Sequence, residues 1–203
     1  MYKRIGVVDS GFARHQQAWV FTSQRFVLTS VGVSRQACIT DPTGHGSAIL
    51  DVIHSHQHHS RFAIAQVFDE RGRTSVKQVI AAIDWLIEQH VELINLSLGL
   101  RHHNEELQAA CQRAKNKGIL LMASSPAMGE PVYPAAYPEV ISITGDGRCK
   151  KPDQYTHLTQ GNAKFGAYVQ GPAPHAGASM ACAHFVGIWA RNTLEPLSKE
   201  ALL

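Results

Sequence analysis

A chain of 203 residues, 44% of them hydrophobic, suits one domain with a substantial core and leaves little room for a second. Its 19 basic and 16 acidic residues give a formal charge of +3 with no block of one sign, so the clustered basic stripe that nucleic acid requires is missing. No run of about 18 apolar residues occurs, and no membrane-spanning helix is expected.

The amino terminus, Met1-Tyr2-Lys3-Arg4-Ile5, enters strand-like sequence at once, with neither the apolar stretch nor the cleavage site of an export signal. The expectation is a cytoplasmic protein, residues 1–203 as a single domain without a propeptide. Cys38, Cys111, Cys149 and Cys182 are far apart and form no C-x-x-C pair, which in that compartment predicts free thiols.

Ile5-Gly6-Val7-Val8 reads as a buried parallel strand that ends in Asp9 and a Ser10-Gly11 turn, placing a carboxylate at the strand's carboxyl end. Next comes Asp41-Pro42-Thr43-Gly44-His45-Gly46-Ser47, a loop that runs into a helix carrying Ala48, Ile49, Leu50, Val52 and Ile53. That position projects His45 from the first turn into a crevice. His54 and His58 stand at i and i+4 beside His56 and His59, and two imidazoles can begin a metal site. No cysteine or carboxylate stands at zinc spacing and H-E-x-x-H is absent, so a solvated, pH-sensitive helix end without metal is the expectation.

Residues 61–68 read as a strand, followed by the turn Asp69-Glu70-Arg71-Gly72, whose two arginines suit a solvated loop. Thr74 or Ser75 then caps a helix with Val76, Val79, Ile80, Ile83, Leu86 and Ile87 at helical spacing. Residues 93–98 are the next strand, and His102 and His103 follow in a loop. Asn104, Glu105 and Glu106 open a helix that closes with Lys115, Lys117 and Gly118. Strands are expected at 119–123 and 140–144. Gly145-Asp146-Gly147 is a turn without the helix a phosphate loop needs. Loops and hairpin pieces fill 145–177 around a strand at 165–169. Pro172, Pro174 and Gly177 lead into Ser179, which opens an apolar run read as a buried helix. A hydroxyl there lies among free backbone N–H groups, where negative charge is stabilised. Alternating strands and helices predict an α/β fold of three layers, α/β/α, around a mostly parallel sheet.

An acid, a base and a nucleophile thus follow in the order Asp9, His45, Ser179. A serine hydroxyl is a weak nucleophile at neutral pH, an imidazole takes its proton, and a carboxylate holds that imidazole in the working tautomer. With Asp9-Ser10-Gly11, Gly44-His45-Gly46-Ser47 and Gly177-Ala178-Ser179-Met180-Ala181, the chain resembles the subtilisin-like serine proteases, the subtilases. The resemblance covers nearly the whole chain and implies a peptidase with no cofactor, acting on a peptide or protein substrate.

It also implies that the backbone around Ser97, Leu98 and Gly99 pairs with an extended peptide, and that Tyr133-Pro134-Ala135-Ala136-Tyr137-Pro138 precedes the strand beyond the oxyanion region. Subtilases carry an oxyanion-binding asparagine after the strand that 118–123 resembles. Alignment on Gly118 puts Ala127 there, leaving the hydroxyls of Ser124 or Ser125 as substitutes. Ala183 stands where the family has proline, which loosens the support of the nucleophile modestly. Cys182 reads as a core thiol. The chain is shorter than secreted members, so calcium-holding loops are not expected. Residues 122–149 resemble the small maturation subtilases, in particular the protease that removes the leader from the cross-linked small subunit of bacterial quinohemoprotein amine dehydrogenase. That narrower likeness implies leader-peptide processing alongside a modifying enzyme. A catalytically weakened fold that only binds peptide is the alternative.

Overall fold

A computed structural model describes residues 3–191. Among the described residues nine strands form one sheet: β1 (Arg4–Asp9), β2 (Val20–Thr29), β3 (Gly32–Gln36), β4 (Arg61–Gln66), β5 (Leu93–Leu96), β6 (Leu120–Ser124), β7 (Ile141–Gly145), β8 (Tyr155–His157) and β9 (Phe165–Ala167). The order is β3-β2-β4-β1-β5-β6-β7-β9-β8. Only the outer pairs, β2 with β3 and β8 with β9, are antiparallel. Among the described residues the α-helices are α1 (His45–His56), α2 (Val76–Glu88), α3 (Glu105–Asn116) and α4 (Ala178–Arg191), with a short 3-10 helix at Arg14–Trp19.

The three-layer arrangement is as expected. One core joins α1 and α4 to the sheet and the other joins α2 and α3 to its opposite face. Strands covered on both sides must be apolar throughout, and β1 and β4 are buried at every position after the first. Helix α4 is apolar nearly all round because α1 and the sheet enclose it, with Met180, Ala181, Cys182, Ala183, Phe185 and Val186 all buried. At Gly187 an added Cβ would come within 2.6 Å of the His56 ring, so the absence of a side chain sets how closely α1 and α4 pack.

The predicted caps are present. The Ser75 and Asn104 side chains accept from the N–H groups of Gln78 and Leu107. Several boundaries shift: the strand expected to reach 98 stops at Leu96, those expected to reach 68 and 169 stop at Gln66 and Ala167, and α1 begins at His45 instead of Ala48. Chain direction fixes where function can lie. From β1 the chain adds β2, β3 and β4 on one side, then crosses to place β5 on the other. In open parallel sheets, ligands bind beyond the carboxyl ends of the strands at such a reversal. Asp9 is the last residue of β1. Among the described residues, no helix is long and apolar enough to cross a membrane.

Candidate active site

Two loops and the end of β4 are locked together around the first turn of α1. The Asp41 carboxylate accepts from the backbone N–H and hydroxyl of Ser47, at 2.8 and 2.7 Å, and from the N–H groups of Thr43 and Gly44. Burial would raise its pKa, yet these donors hold it below the ordinary carboxylate value. Ser10 takes another free helix donor, accepting the Gly46 N–H at 2.9 Å. Gly46 permits the approach, since a Cβ there would lie 2.4 Å from the Gly11 carbonyl. Gln66, fully buried at the end of β4, ties the Ser10 turn to the loop that carries Asp41 by donating to the carbonyls of Ser10 and Ile39.

This docking delivers Asp9 to His45. Asp9 is fully buried, and its Oδ1 lies 2.8 Å from His45 Nδ1 while accepting from the Ser10 N–H. Its Oδ2 has no hydrogen-bond partner among the described residues, and His45 is the one basic side chain paired with it. Burial pushes the His45 pKa down, but the hydrogen bond to Asp9 and the charges of Asp9 and Asp41 outweigh it, and the net direction is up. The ring is half-buried and opens on a cleft of about 260 Å³ lined by Thr43, Phe68, Gly72 and Ser97.

Ser179 is the second residue of α4, so its N–H has no acceptor one turn back within the helix. Its hydroxyl donates to the Ser97 carbonyl over a long 3.5 Å and is not bonded to His45 in this rotamer. Two neighbours link the Ser179 segment to the cleft of His45. Ser97 lines that cleft, and His175, on the loop entering α4, sets its ring edge-on to His45 at 5.7 Å. Below them Asn95 donates to the Ser97 hydroxyl and Cys182 donates to Asn95, tying β5 to α4. Burial drives the Cys182 thiol pKa far up, the behaviour of a core thiol, and all four cysteines are free.

Segment 97–99 leaves the sheet after Leu96 and is held beyond by Leu100, which exchanges backbone hydrogen bonds with Tyr133 at 2.7 and 2.8 Å. Among the described residues the Leu98 and Gly99 backbone groups bond to nothing. Ser124 ends β6, nearly buried, and its hydroxyl has no partner among the described residues. The Ser125 hydroxyl is committed to the carbonyls of Asn162 and Pro126, and Ala127 is exposed.

His54 and His56 depart from a solvated helix end, whereas His58 and His59 are exposed. His54 stacks on Trp19 with ring centroids 3.8 Å apart, His56 lies 2.9 Å from His184, and His58 falls beyond the last turn of α1. His103 packs against Tyr133 and Tyr137. Sequence reasoning missed Ser10, Asp41, Gln66, Phe68 and His175. Only Asp41 left a local trace, an acid standing three to six residues before free helix donors.

The Subtilase family model matches residues 4–194. The chain is 28% identical over 155 residues to the Minor extracellular protease Epr of Bacillus subtilis (strain 168), covering 70% of this chain and 23% of that protein. It is 27% identical over 151 residues to the Thermostable alkaline protease of Halalkalibacterium halodurans, covering 69% and 40%. Against the Major intracellular serine protease of Bacillus subtilis (strain 168) it is 29% identical over 126 residues, covering 54% and 40%. The chain spans less than half the length of each of these relatives. With the match running through the acid, histidine and serine motifs alike, the chain belongs to the subtilase family.

Proposed function

We propose that this subtilase is a serine endopeptidase in which Ser179 is the nucleophile, His45 the general base and then acid, and Asp9 the group that orients it. The observation that carries the reading is the 2.8 Å contact from buried Asp9 to His45 Nδ1, which leaves Nε2 as the proton acceptor. Ser179 turns from the Ser97 carbonyl toward that nitrogen and attacks the scissile carbonyl. Its proton passes to His45, then to the departing amine, and water releases the acyl group by the same route in reverse. An extended peptide pairs with the backbone of Ser97, Leu98 and Gly99, the Ser97 carbonyl being freed as the Ser179 hydroxyl turns away.

The Ser179 N–H supplies one oxyanion donor. The unpartnered Ser124 hydroxyl supplies the second, in place of Ser125, whose hydroxyl is committed, and of Ala127, which has no donor side chain. An amide lost from such a site costs about 3 kcal/mol, a magnitude measured on subtilisin itself, or roughly a hundredfold in rate. A slow peptidase suits one dedicated substrate held in a fixed pose. The loop at 122–149 supports, by likeness, cytoplasmic removal of a leader peptide, with the quinohemoprotein amine dehydrogenase small subunit as the candidate and its modifying enzyme as a partner. No cofactor, structural calcium or other metal enters the mechanism. The vacant asparagine position favours a second reading, a peptide-binding module without turnover.

Incubating the protein with leader-bearing precursor peptides and weighing the products separates the two. Cleavage that disappears in Ser179→Ala while the peptide still binds supports the peptidase. Binding without any cut in the wild type supports the module.

A further inference from the structure

A second cluster lies at the amino ends of the strands, opposite the rim that carries Asp9. Arg4 and Arg61 open β1 and β4 and are register partners on these parallel neighbours, so their side chains emerge side by side. Like charges so placed repel unless an anion lies between them. Among the described residues neither guanidinium has a carboxylate partner, and nearby Glu92 is engaged by Lys3 at 2.5 Å. Both arginines line a cavity of about 510 Å³ together with His58 and His59. One wall is aromatic. Trp19 and Phe21 form it, with Phe21 held where the β2 register slips between Val20 and Thr22, and the Arg4 guanidinium 5.4 Å from its ring. Ser60 belongs to the lining too, and its buried hydroxyl has no partner among the described residues.

We propose that this cavity binds a phosphate-bearing small molecule, with Arg4 and Arg61 gripping the phosphoryl oxygens and Trp19 and Phe21 covering its apolar body. Guanidinium forks match tetrahedral oxyanions through paired N–H donors, and two forks with two imidazoles outnumber what a single carboxylate needs. The recess favours a compact ligand, whereas a nucleic-acid strand calls for an extended basic stripe. The site is independent of the peptidase reading. It lies past the carboxyl end of α1, the helix whose first residue is His45, about 18 Å away along twelve residues at 1.5 Å each.

Calorimetric titration of the protein with inorganic pyrophosphate, at ionic strength fixed with sodium chloride, tests it. One saturable site is expected. Arg4→Gln and Arg61→Gln each weaken it at least tenfold, Arg61→Lys weakens it several-fold because the fork is lost, and Ser179→Ala binds like the wild type. Melting curves confirm that each variant is folded. No saturable binding, undiminished binding in the folded double Gln variant, or an Arg61→Lys protein equal to the wild type overturns the proposal. So does equal binding of citrate, which would assign carboxylates, or displacement of pyrophosphate by a short oligonucleotide, which would assign a polymer.

Discussion

Helix α1 carries histidines at both ends and treats them in opposite ways. At its first residue, His45 meets the buried carboxylate of Asp9, and its pKa rises. In its last turn, burial and the neighbouring His184 push His56 down to about 4, and burial with His58 lowers His54. The helix dipole alone would do the reverse, disfavouring a cation at the amino end and favouring one at the carboxyl end. Immediate partners therefore outweigh the dipole at each end. The distal pair is also hydrogen-bonded: His184 Nε2 donates to the Gln170 carbonyl at 2.7 Å and its Nδ1 faces His56 Nε2 at 2.9 Å, while burial disfavours the charged form of both rings. One end of the helix holds a base ready for a proton, and the other holds imidazoles as packing.

Opposite shifts give opposite links to stability. The raised pKa of His45 contributes stability fully present below the unfolded value near 6.5, and that contribution fades as pH rises through the folded value. The lowered values of His56 and His184 contribute stability present above 6.5, lost as pH falls, for His56 toward about 4.

Substitutions at the two ends sharpen the contrast. His45→Ala should cut kcat by about 10⁶, the scale of loss measured in subtilisin, whereas His56→Ala should leave kcat within a few-fold, read by peptide cleavage on folded protein. Asp9→Asn should cost about 10⁴ and shift the acid limb of the pH–rate profile downward, because the charge that raises the His45 pKa is gone. An unmoved limb would detach Asp9 from His45. His184→Ala should destabilise by about 2 kcal/mol in urea at pH 7, by opening a cavity and orphaning the Gln170 carbonyl. It should also flatten the loss of stability between pH 6.5 and 4. Smallest is His54→Ala, about 1 kcal/mol from the lost stack on Trp19, with activity unchanged.

What the sequence revealed follows the same division between local and distant causes. Strands β1, β4, β5, β6 and β7 announce themselves as apolar runs, and α2 and α3 through caps and periodicity, all of them local patterns. The β2–β3 hairpin was not legible: its connection, Thr29-Ser30-Val31-Gly32, lacks an Asn-Gly or Asp-Gly signal, and polar Ser23, Gln24 and Arg25 interrupt β2. The aromatic and β-branched residues of 20–29 were the available clue. Motifs around Asp9, His45 and Ser179 were legible because a glycine or small residue flanks each. Gln66 and His175 were not, since their roles exist only once the Ser10 turn and the His45 ring arrive from elsewhere in the chain, whereas Asp41 left a local trace in its spacing from the α1 donors.

In the proposed mechanism Asp9 prepares His45 to take the proton of Ser179. The rate of fluorophosphonate labelling, followed from pH 5 to 9 by intact mass with the modified residue mapped, tests it most directly. A single adduct on Ser179 is expected, its rate rising with pH through a midpoint above 6.5 in the wild type and collapsing in Asp9→Asn. A folded protein that takes no adduct at Ser179, or one that labels equally well without the Asp9 charge, would contradict it.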